Sequence, residues 1–288
     1  MKVMITGAGG QLGQALQSNA PANAEIVPLA RAALDIGDGD AVAAAVAALA
    51  PDLIVNAAAY TAVDKAENDE DAALRINAVA PRHLAKAAAA RGARFIHVST
   101  DFVFGGTSGV PYRPDHPTAP LGVYGASKRA GEEAVLAAHA DALVVRTAWV
   151  YGSTGGNFVR TMLRLMAERD EVRVVADQIG TPTYAAGLAG ALWALDAAGA
   201  RGIHHWTDSG AASWYDFAVA IQEEALAVGL LTRAVPVIPI STSEFPTPAR
   251  RPSYSVLDKS AAIALIGAPA PHWRVHLRDM LGVIKTNG

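Results

Sequence analysis

Tyr124 and Lys128 stand four residues apart in Tyr124-Gly125-Ala126-Ser127-Lys128, a segment with a helical pattern, so both project from one face about one turn apart. A phenol titrates near pH ~10, and an ammonium beside it favours phenolate, so such a pair can move a proton to or from a substrate oxygen. Lys128 can at the same time hold ribose hydroxyls. Upstream, Ser99-Thr100-Asp101 supplies the Thr100 hydroxyl, able to hydrogen-bond a carbonyl. An exposed tyrosine lying over a lysine stem has the same spacing, so the pair gains meaning only from its surroundings.

Those surroundings begin with Thr6-Gly7-Ala8-Gly9-Gly10-Gln11-Leu12-Gly13, which follows a β-rich run and opens a helical pattern. Gly7 permits a tight turn, Gly10 lets backbone approach a pyrophosphate, and Gly13 lets the helix pack closely on the strand. Unpaired N–H groups at the helix start would hold the phosphate charge. The second β run ends Pro28-Leu29-Ala30-Arg31, where an NAD-selecting site carries an acid. Arg31 puts a cation there, so NADPH is expected, with NADH not excluded; a solvated surface arginine is the alternative reading. Asp35 and Ile36 follow, placed to hydrogen-bond and cover the adenine. Asn56-Ala57-Ala58-Ala59 ends the third run in small residues, against which a ribose or nicotinamide ring can lie, or which serve helix–sheet packing.

The elements that position these residues alternate. Candidate strands at 2–6, 25–29, 53–57, 94–99 and 143–146 are separated by alanine-rich helical patterns. Apolar runs without period-two alternation indicate a parallel sheet covered on both faces, hence a doubly wound α/β (Rossmann) fold. Ligands in that fold bind beyond the carboxyl ends of the strands, where Thr100 falls. After about Trp149 the pattern shifts to glycine turns at 152–156, shorter elements and a proline-rich stretch at 236–252. Residues 1–148 are therefore expected to form a dinucleotide-binding domain and 149–288 a smaller α/β substrate domain. Short runs at 171–175 and 203–206 are expected to return to the sheet.

The 288 residues, 51% hydrophobic, suffice for such a fold. With 24 basic and 27 acidic residues, formal charge −3, there is no electrostatic footprint for nucleic acid or an anionic membrane. The chain has no cysteine, which excludes disulfides, thiolate metal sites and a cysteine nucleophile and fits a reducing compartment. The first apolar run is too short for a signal peptide and Ala41 to Ala50 too short for a membrane span, so a cytoplasmic protein is expected. Asn77 falls inside a helical pattern, where its amide either serves the site or distorts the helix. His272 and His276 have metal-compatible spacing but no evident acidic third ligand, and His204-His205 reads as packing. Arg250-Arg251 is a basic pair; Arg251 is favoured to fork onto a diphosphate rather than sit in a solvated loop.

Taken together, TGAGGQLG (6–13), NAAAYTAVDKAE (56–67), INA (76–78), STDFVFGG (99–106) and YGASK (124–128) resemble the extended short-chain dehydrogenases. WVYG (149–152), NFVRTML (157–163), DQIGTPT (177–183) and RPSYSVLD (251–258) extend the resemblance nearly end to end, most closely to the dTDP-4-dehydrorhamnose reductase family. STDFVF, AYTAVDKAE and DQIGTPT discriminate; the first and fifth motifs are shared by the wider class. Dehydratases of similar fold carry an Asp-Glu pair after the strand-four threonine, whereas here Asp101 is followed by Phe102, which argues against dehydration.

The resemblance implies NADPH-dependent reduction of dTDP-4-dehydro-6-deoxy-L-mannose to dTDP-L-rhamnose, a precursor of cell-surface polysaccharide. It implies Thr100, Tyr124 and Lys128 as the catalytic set. Gly10, Gln11, Leu12, Asp35, Ile36, Ala59, Tyr60 and Thr61 would surround the cofactor. Thr100, Asp101 and Trp149 would meet the sugar nucleotide, with Phe102 and Asn157 of the same motifs beside them. Some members form magnesium-bridged dimers through glutamates, one of them in the first helix; here that stretch reads Gln14-Ala15-Leu16, so magnesium is not expected, and monomer or homodimer stays open. Two rivals remain, a non-catalytic NADP-binding subunit and an epimerase that keeps its cofactor. The intact Tyr124, Lys128 and Thr100 weigh against the first.

Overall fold

In β1 (Lys2–Thr6), Val3 and Ile5 enter one core and Met4 another, all fully buried. The same split separates Leu53 and Val55 from Ile54 in β3 (Leu53–Asn56), which follows β2 (Glu25–Leu29). Successive strand residues face opposite ways, so a strand covered on both sides has no polar face and reads as one apolar run. The computed structural model, which describes residues 1–287, joins these strands with β4 (Arg94–Thr100), β5 (Leu143–Thr147) and the strand Gly202–His205 in a six-stranded sheet. The order is Gly202–His205, β5, β4, β3, β1, β2, and every pair is parallel. This is the doubly wound α/β sheet expected from the sequence. Because β1 has β2 on one side and β3 on the other, the strand order reverses there, and in folds of this kind ligands bind beyond the carboxyl ends of the strands at such a point.

Helix α1 (Gln11–Ser18) and the helix Ala185–Ala197 cover one face. The other is covered first by α2 (Gly39–Leu49). Two short helices follow β3, α3 (Val63–Ala66) and α4 (Glu70–Leu74), then a π-helical turn at Arg75–Val79; α5 (Ala80–Arg91) and α6 (Val123–Ala138) complete that face. The π turn accounts for Asn77, whose side chain is fully buried. At Gly131 of α6 a Cβ would stand 2.0 Å from the Asn77 carbonyl oxygen, so only glycine lets the helix approach this closely.

Of the two later runs expected in the sheet, 203–206 forms Gly202–His205 and pairs with β5. The run at 171–175 does not return: it forms Val172–Val175 and pairs in parallel with Val237–Ile240. Val172 and Val174 are buried and Arg173 is exposed, an alternation that suits a strand covered on one side. They join a separate core with Val159, Met162, Phe217 and Leu277. No helix among the described residues is long and apolar enough to cross a membrane.

Candidate active site

Gly7 has φ +71°, and a Cβ there would lie 2.6 Å from the Ala58 nitrogen; at Gly13 it would lie 2.2 Å from the Gly7 oxygen. The turn is thus pressed between the start of α1 and the Ala57-Ala58 segment after β3. Gly10 is the N-cap of α1 and no side chain caps it, while a Cβ on Gly9 would meet nothing within 4 Å. First-turn N–H groups without a cap, facing open space, fit a pyrophosphate. Leu12 buries its side chain in the core, so its contribution is its N–H. The Gln11 Oε1 accepts from Asn157 Nδ2 at 2.9 Å. Asn157 Nδ2 also donates to the Gly152 carbonyl at 2.8 Å, and its Oδ1 caps the helix Phe158–Glu168. Both ends of the Asn157 amide are therefore engaged, and it ties the second half of the chain to the glycine turn.

Arg31 is exposed in the turn after β2. Asp35 accepts from Arg75 Nη2 at 2.5 Å and from the Gly37 N–H at 2.9 Å, and these bonds, the arginine foremost, hold its carboxyl below the usual range. Ile36, expected to cover the adenine, is instead 7% exposed and packs in the core with Leu34 and Val42. Asn56 Oδ1 accepts from Thr6 Oγ1 at 2.8 Å and from the Ala58 N–H at 3.1 Å, which fixes the bend leading to Ala59, Tyr60 and the exposed Thr61.

Asn77 fastens that segment to the helix carrying the tyrosine. It accepts from the Tyr60 N–H at 2.8 Å and donates to the Tyr60 carbonyl at 3.1 Å and to Ser127 Oγ at 3.0 Å. Ser127 in turn donates to the Tyr124 carbonyl at 2.9 Å. Gly122, the N-cap of α6, has no side chain to offer, and Glu67 Oε1 accepts from the Val123 N–H at 2.9 Å in its place. Asp64, three residues earlier, receives Arg251 through both nitrogens, at 3.0 and 2.7 Å. Arg251 also donates to Thr247 Oγ1 and the Ala249 carbonyl. The guanidinium fork that the sequence favoured for a diphosphate is thus committed to Asp64.

Thr100 closes β4. Its hydroxyl donates to Asp101 Oδ1 at 2.9 Å and accepts from the Phe102 N–H at 3.2 Å, and the Phe102 ring meets Tyr124 edge-on at 5.5 Å. Burial pushes the Asp101 carboxyl up to about 6, opposed by the hydroxyls of Ser255 and Thr100. Burial likewise pushes the Tyr124 phenol up to about 12, with Thr100 opposing and Asp101 reinforcing. Lys128 is 1% exposed; its Nζ donates to the Val98 carbonyl at 2.7 Å and stands 3.4 Å from His97 Nε2. Desolvation brings it down to about 8, partly offset by Glu132. The sequence-based expectation that Lys128 favours phenolate is therefore reversed: burial outweighs it, because the ammonium is turned towards β4. A phenol that keeps its proton is suited to donating one.

Just beyond the end of β5, Trp149 has φ +47° and is half-buried, stacked on Trp214 with centroids 3.5 Å apart and planes within 5°. Gly180 makes room for the indole, since a Cβ there would lie 2.6 Å from it.

Residues 1–285 match the RmlD substrate binding domain family. The chain belongs to that family. It is 45% identical over 296 residues to a dTDP-4-dehydrorhamnose reductase of Burkholderia thailandensis, covering 98% of this chain and 99% of the relative. It is 47% identical over 288 residues to the Mycobacterium tuberculosis enzyme of the same name, with 97% and 92% covered. The crystal structure of the Bacillus anthracis dTDP-4-dehydrorhamnose reductase in complex with NADP superposes with a TM-score of 0.93 at 40% identity, covering 98% of this chain and 99% of that one.

For this RmlD-family chain, sequence reasoning missed Arg75, Asp64, Glu67 and Trp214. Arg75 meets Asp35 across 40 residues and Trp214 meets Trp149 across 65, so no local spacing signals either contact. Asp64 and Glu67 lie in a motif that was singled out, yet their partners, Arg251 and Val123, come from other elements. Asn77 did carry a signal, an asparagine in an otherwise helical pattern.

Proposed function

We propose that this chain reduces dTDP-4-dehydro-6-deoxy-L-mannose to dTDP-L-rhamnose with NADPH. The arrangement that carries the reading is Tyr124 beside the Thr100 hydroxyl at the carboxyl edge of the sheet, its phenol raised by burial, together with the uncapped glycine turn at the end of β1. The names of the relatives support the substrate, and the NADP complex of the Bacillus anthracis protein supports the cofactor. The N–H groups of the α1 first turn would hold the pyrophosphate, Arg31 the 2′-phosphate, and residues 57–61 the nicotinamide ribose. NADPH bound there supplies hydride to C4 of the sugar.

Tyr124 gives its proton to the oxygen that gains charge at C4, and Thr100 orients that oxygen by hydrogen bonding. Lys128 holds the ribose and returns a proton to Tyr124 through water. Asp101 and the Phe102 ring fix the tyrosine, and Trp149 walls the sugar. In this reading residues 1–148 bind the cofactor and most of the remainder shapes the sugar side, with Gly202–His205 serving the sheet. A small-molecule reductase built on soluble nucleotide substrates fits the cytoplasm, as monomer or homodimer. The test is NADPH oxidation followed at its absorbance band with the keto sugar: one cofactor consumed per substrate supports the reading. Interconversion of sugars without net oxidation points to an epimerase, and binding without turnover to a non-catalytic subunit.

Arg31→Ala is expected to narrow the preference for NADPH. An exposed charge-assisted bond contributes on the order of 1–2 kcal/mol, so kcat/KM with NADPH should fall roughly five- to thirtyfold while NADH changes little. An equal fall for both cofactors would make Arg31 structural. Trp149→Ala is expected to raise KM for the sugar and lower kcat by misplacing C4, with NADPH affinity unchanged. Because the indole is half-buried, the melting temperature should fall less than for a core tryptophan, whose removal costs roughly 3–5 kcal/mol. A full core-sized loss with unaltered kinetics would take Trp149 out of the site.

A further inference from the structure

Beneath Lys128 runs a buried chain of side chains whose hydrogens can be placed by elimination. The Ala58 N–H can only donate, so the Asn56 atom it meets at 3.1 Å is the amide oxygen, which also accepts from Thr6 Oγ1. The other end of that amide, Nδ2, is then a donor, and it stands 3.0 Å from His97 Nδ1. Nδ1 must accept. His97 is fully buried, and burial together with the charge of Lys128 holds it well below the usual histidine range, so its ring is neutral and carries its one proton on Nε2. That N–H points at Lys128 Nζ, 3.4 Å away. An ammonium has only donors to offer, whereas an amine has a lone pair for the Nε2 hydrogen.

We infer that His97 is a positioning residue that tunes Lys128: locked as the Nε2–H tautomer by Asn56, it meets the lysine nitrogen with a proton and favours the uncharged amine. The inference rests on the proposed role of Lys128 in holding ribose and returning a proton. Other groups facing the lysine do not share this effect. Glu132, one turn further along α6, favours the ammonium, but its carboxylate is already held by Arg146 of β5 and Ser99 of β4. Tyr124, one turn earlier, is neutral, and Asn56 on β3 carries no charge. Desolvation already brings the lysine down to about 8, and the Nε2–H of His97 acts in the same direction, so the group gains and loses a proton near physiological pH instead of remaining a fixed cation. The chain also starts at Thr6, next to the glycine turn, so a shift of that turn reaches the lysine through two hydrogen-bonded side chains.

The test measures NADPH binding by its fluorescence, with the full chain and no sugar present, between about pH 6 and 10. In the wild type, affinity should fall as pH rises through the lysine's titration, because the amine donates more weakly to the ribose hydroxyls than the ammonium. His97→Asn keeps an oxygen where Nδ1 accepts from Asn56 and deletes the Nε2–H. The midpoint should move up by about one pH unit or more, with the melting temperature close to wild type. His97→Gln, whose amide oxygen can turn to the ammonium, should move it at least as far. The alkaline limb of kcat for keto-sugar reduction should shift in step. A wild type with no midpoint in this range, or a midpoint unmoved in both variants yet abolished by Lys128→Met, overturns the inference while leaving Lys128 in the site. If Lys128→Met keeps both the midpoint and full turnover, the proposed role of the lysine itself fails.

Discussion

Replacing Tyr124 by phenylalanine is expected to lower kcat by roughly 10²- to 10⁴-fold, the range that a positioned general acid contributes. NADPH affinity should stay within a few-fold. The ring contacts survive, since the edge-on meeting with Phe102 at 5.5 Å involves the aromatic face and not the hydroxyl. What is lost is a phenol that burial has pushed up to about 12 and that therefore carries its proton at neutral pH. In the reducing direction that is the required state, because the oxygen at C4 becomes an alkoxide far more basic than a phenolate. The expected pH profile follows. Activity should not decline near neutrality through deprotonation of Tyr124, and any alkaline limb below its titration belongs to another group, for which Lys128 is the candidate. Steady-state kinetics with NADPH binding measured in parallel decide the matter: turnover retained in Tyr124→Phe removes the tyrosine as proton donor.

Arg146→Met should destabilise the fold by about 3–5 kcal/mol, the cost of leaving one member of a buried ion pair alone. Arg146 on β5 donates through Nε and Nη2 to both oxygens of Glu132 on α6, at 2.9 and 2.7 Å, and each side chain is 3% exposed. Ser99 donates to the same carboxylate at 2.5 Å, and the guanidinium lies 5.0 Å from the centre of the Phe104 ring. Without the arginine, the buried Glu132 carboxylate keeps one hydrogen-bond partner, the Ser99 hydroxyl. Adding Glu132→Leu should recover most of the loss, because a desolvated pair is often matched by apolar residues of similar volume. Denaturant melts of the two single variants and the double variant measure the coupling. Additive losses would mean that the two side chains do not act as a pair. Since Ser99 precedes Thr100, the single variant should also lower turnover beyond its effect on the folded fraction.

Much of this was legible in the residues. The strands of the sheet could be read because doubly covered strands are apolar throughout, so burial is written locally in Lys2–Thr6 and Leu53–Asn56. The glycine turn could be read because a missing Cβ is a local property, and a side chain at Gly7 or Gly13 would strike backbone within 3 Å. The strand at 171–175 shows the limit. It read as a short strand, but which partner it would take depended on where Val237–Ile240 arrived, 62 residues or more later.

By itself the sequence determined the doubly wound sheet, the glycine turn and the spacing of Tyr124 and Lys128, all properties of neighbouring residues obeying helix or strand periods. Only the tertiary structure decided what those groups are chemically. Lys128 was read as a cation that lowers the tyrosine pKa; its nitrogen instead meets Val98 and His97, and the phenol rises. Arg251 was read as reaching for a diphosphate, and it is held by Asp64 from the other half of the chain. Protonation depends on burial and on charges a few ångströms away, and those neighbours come from elements far apart in sequence.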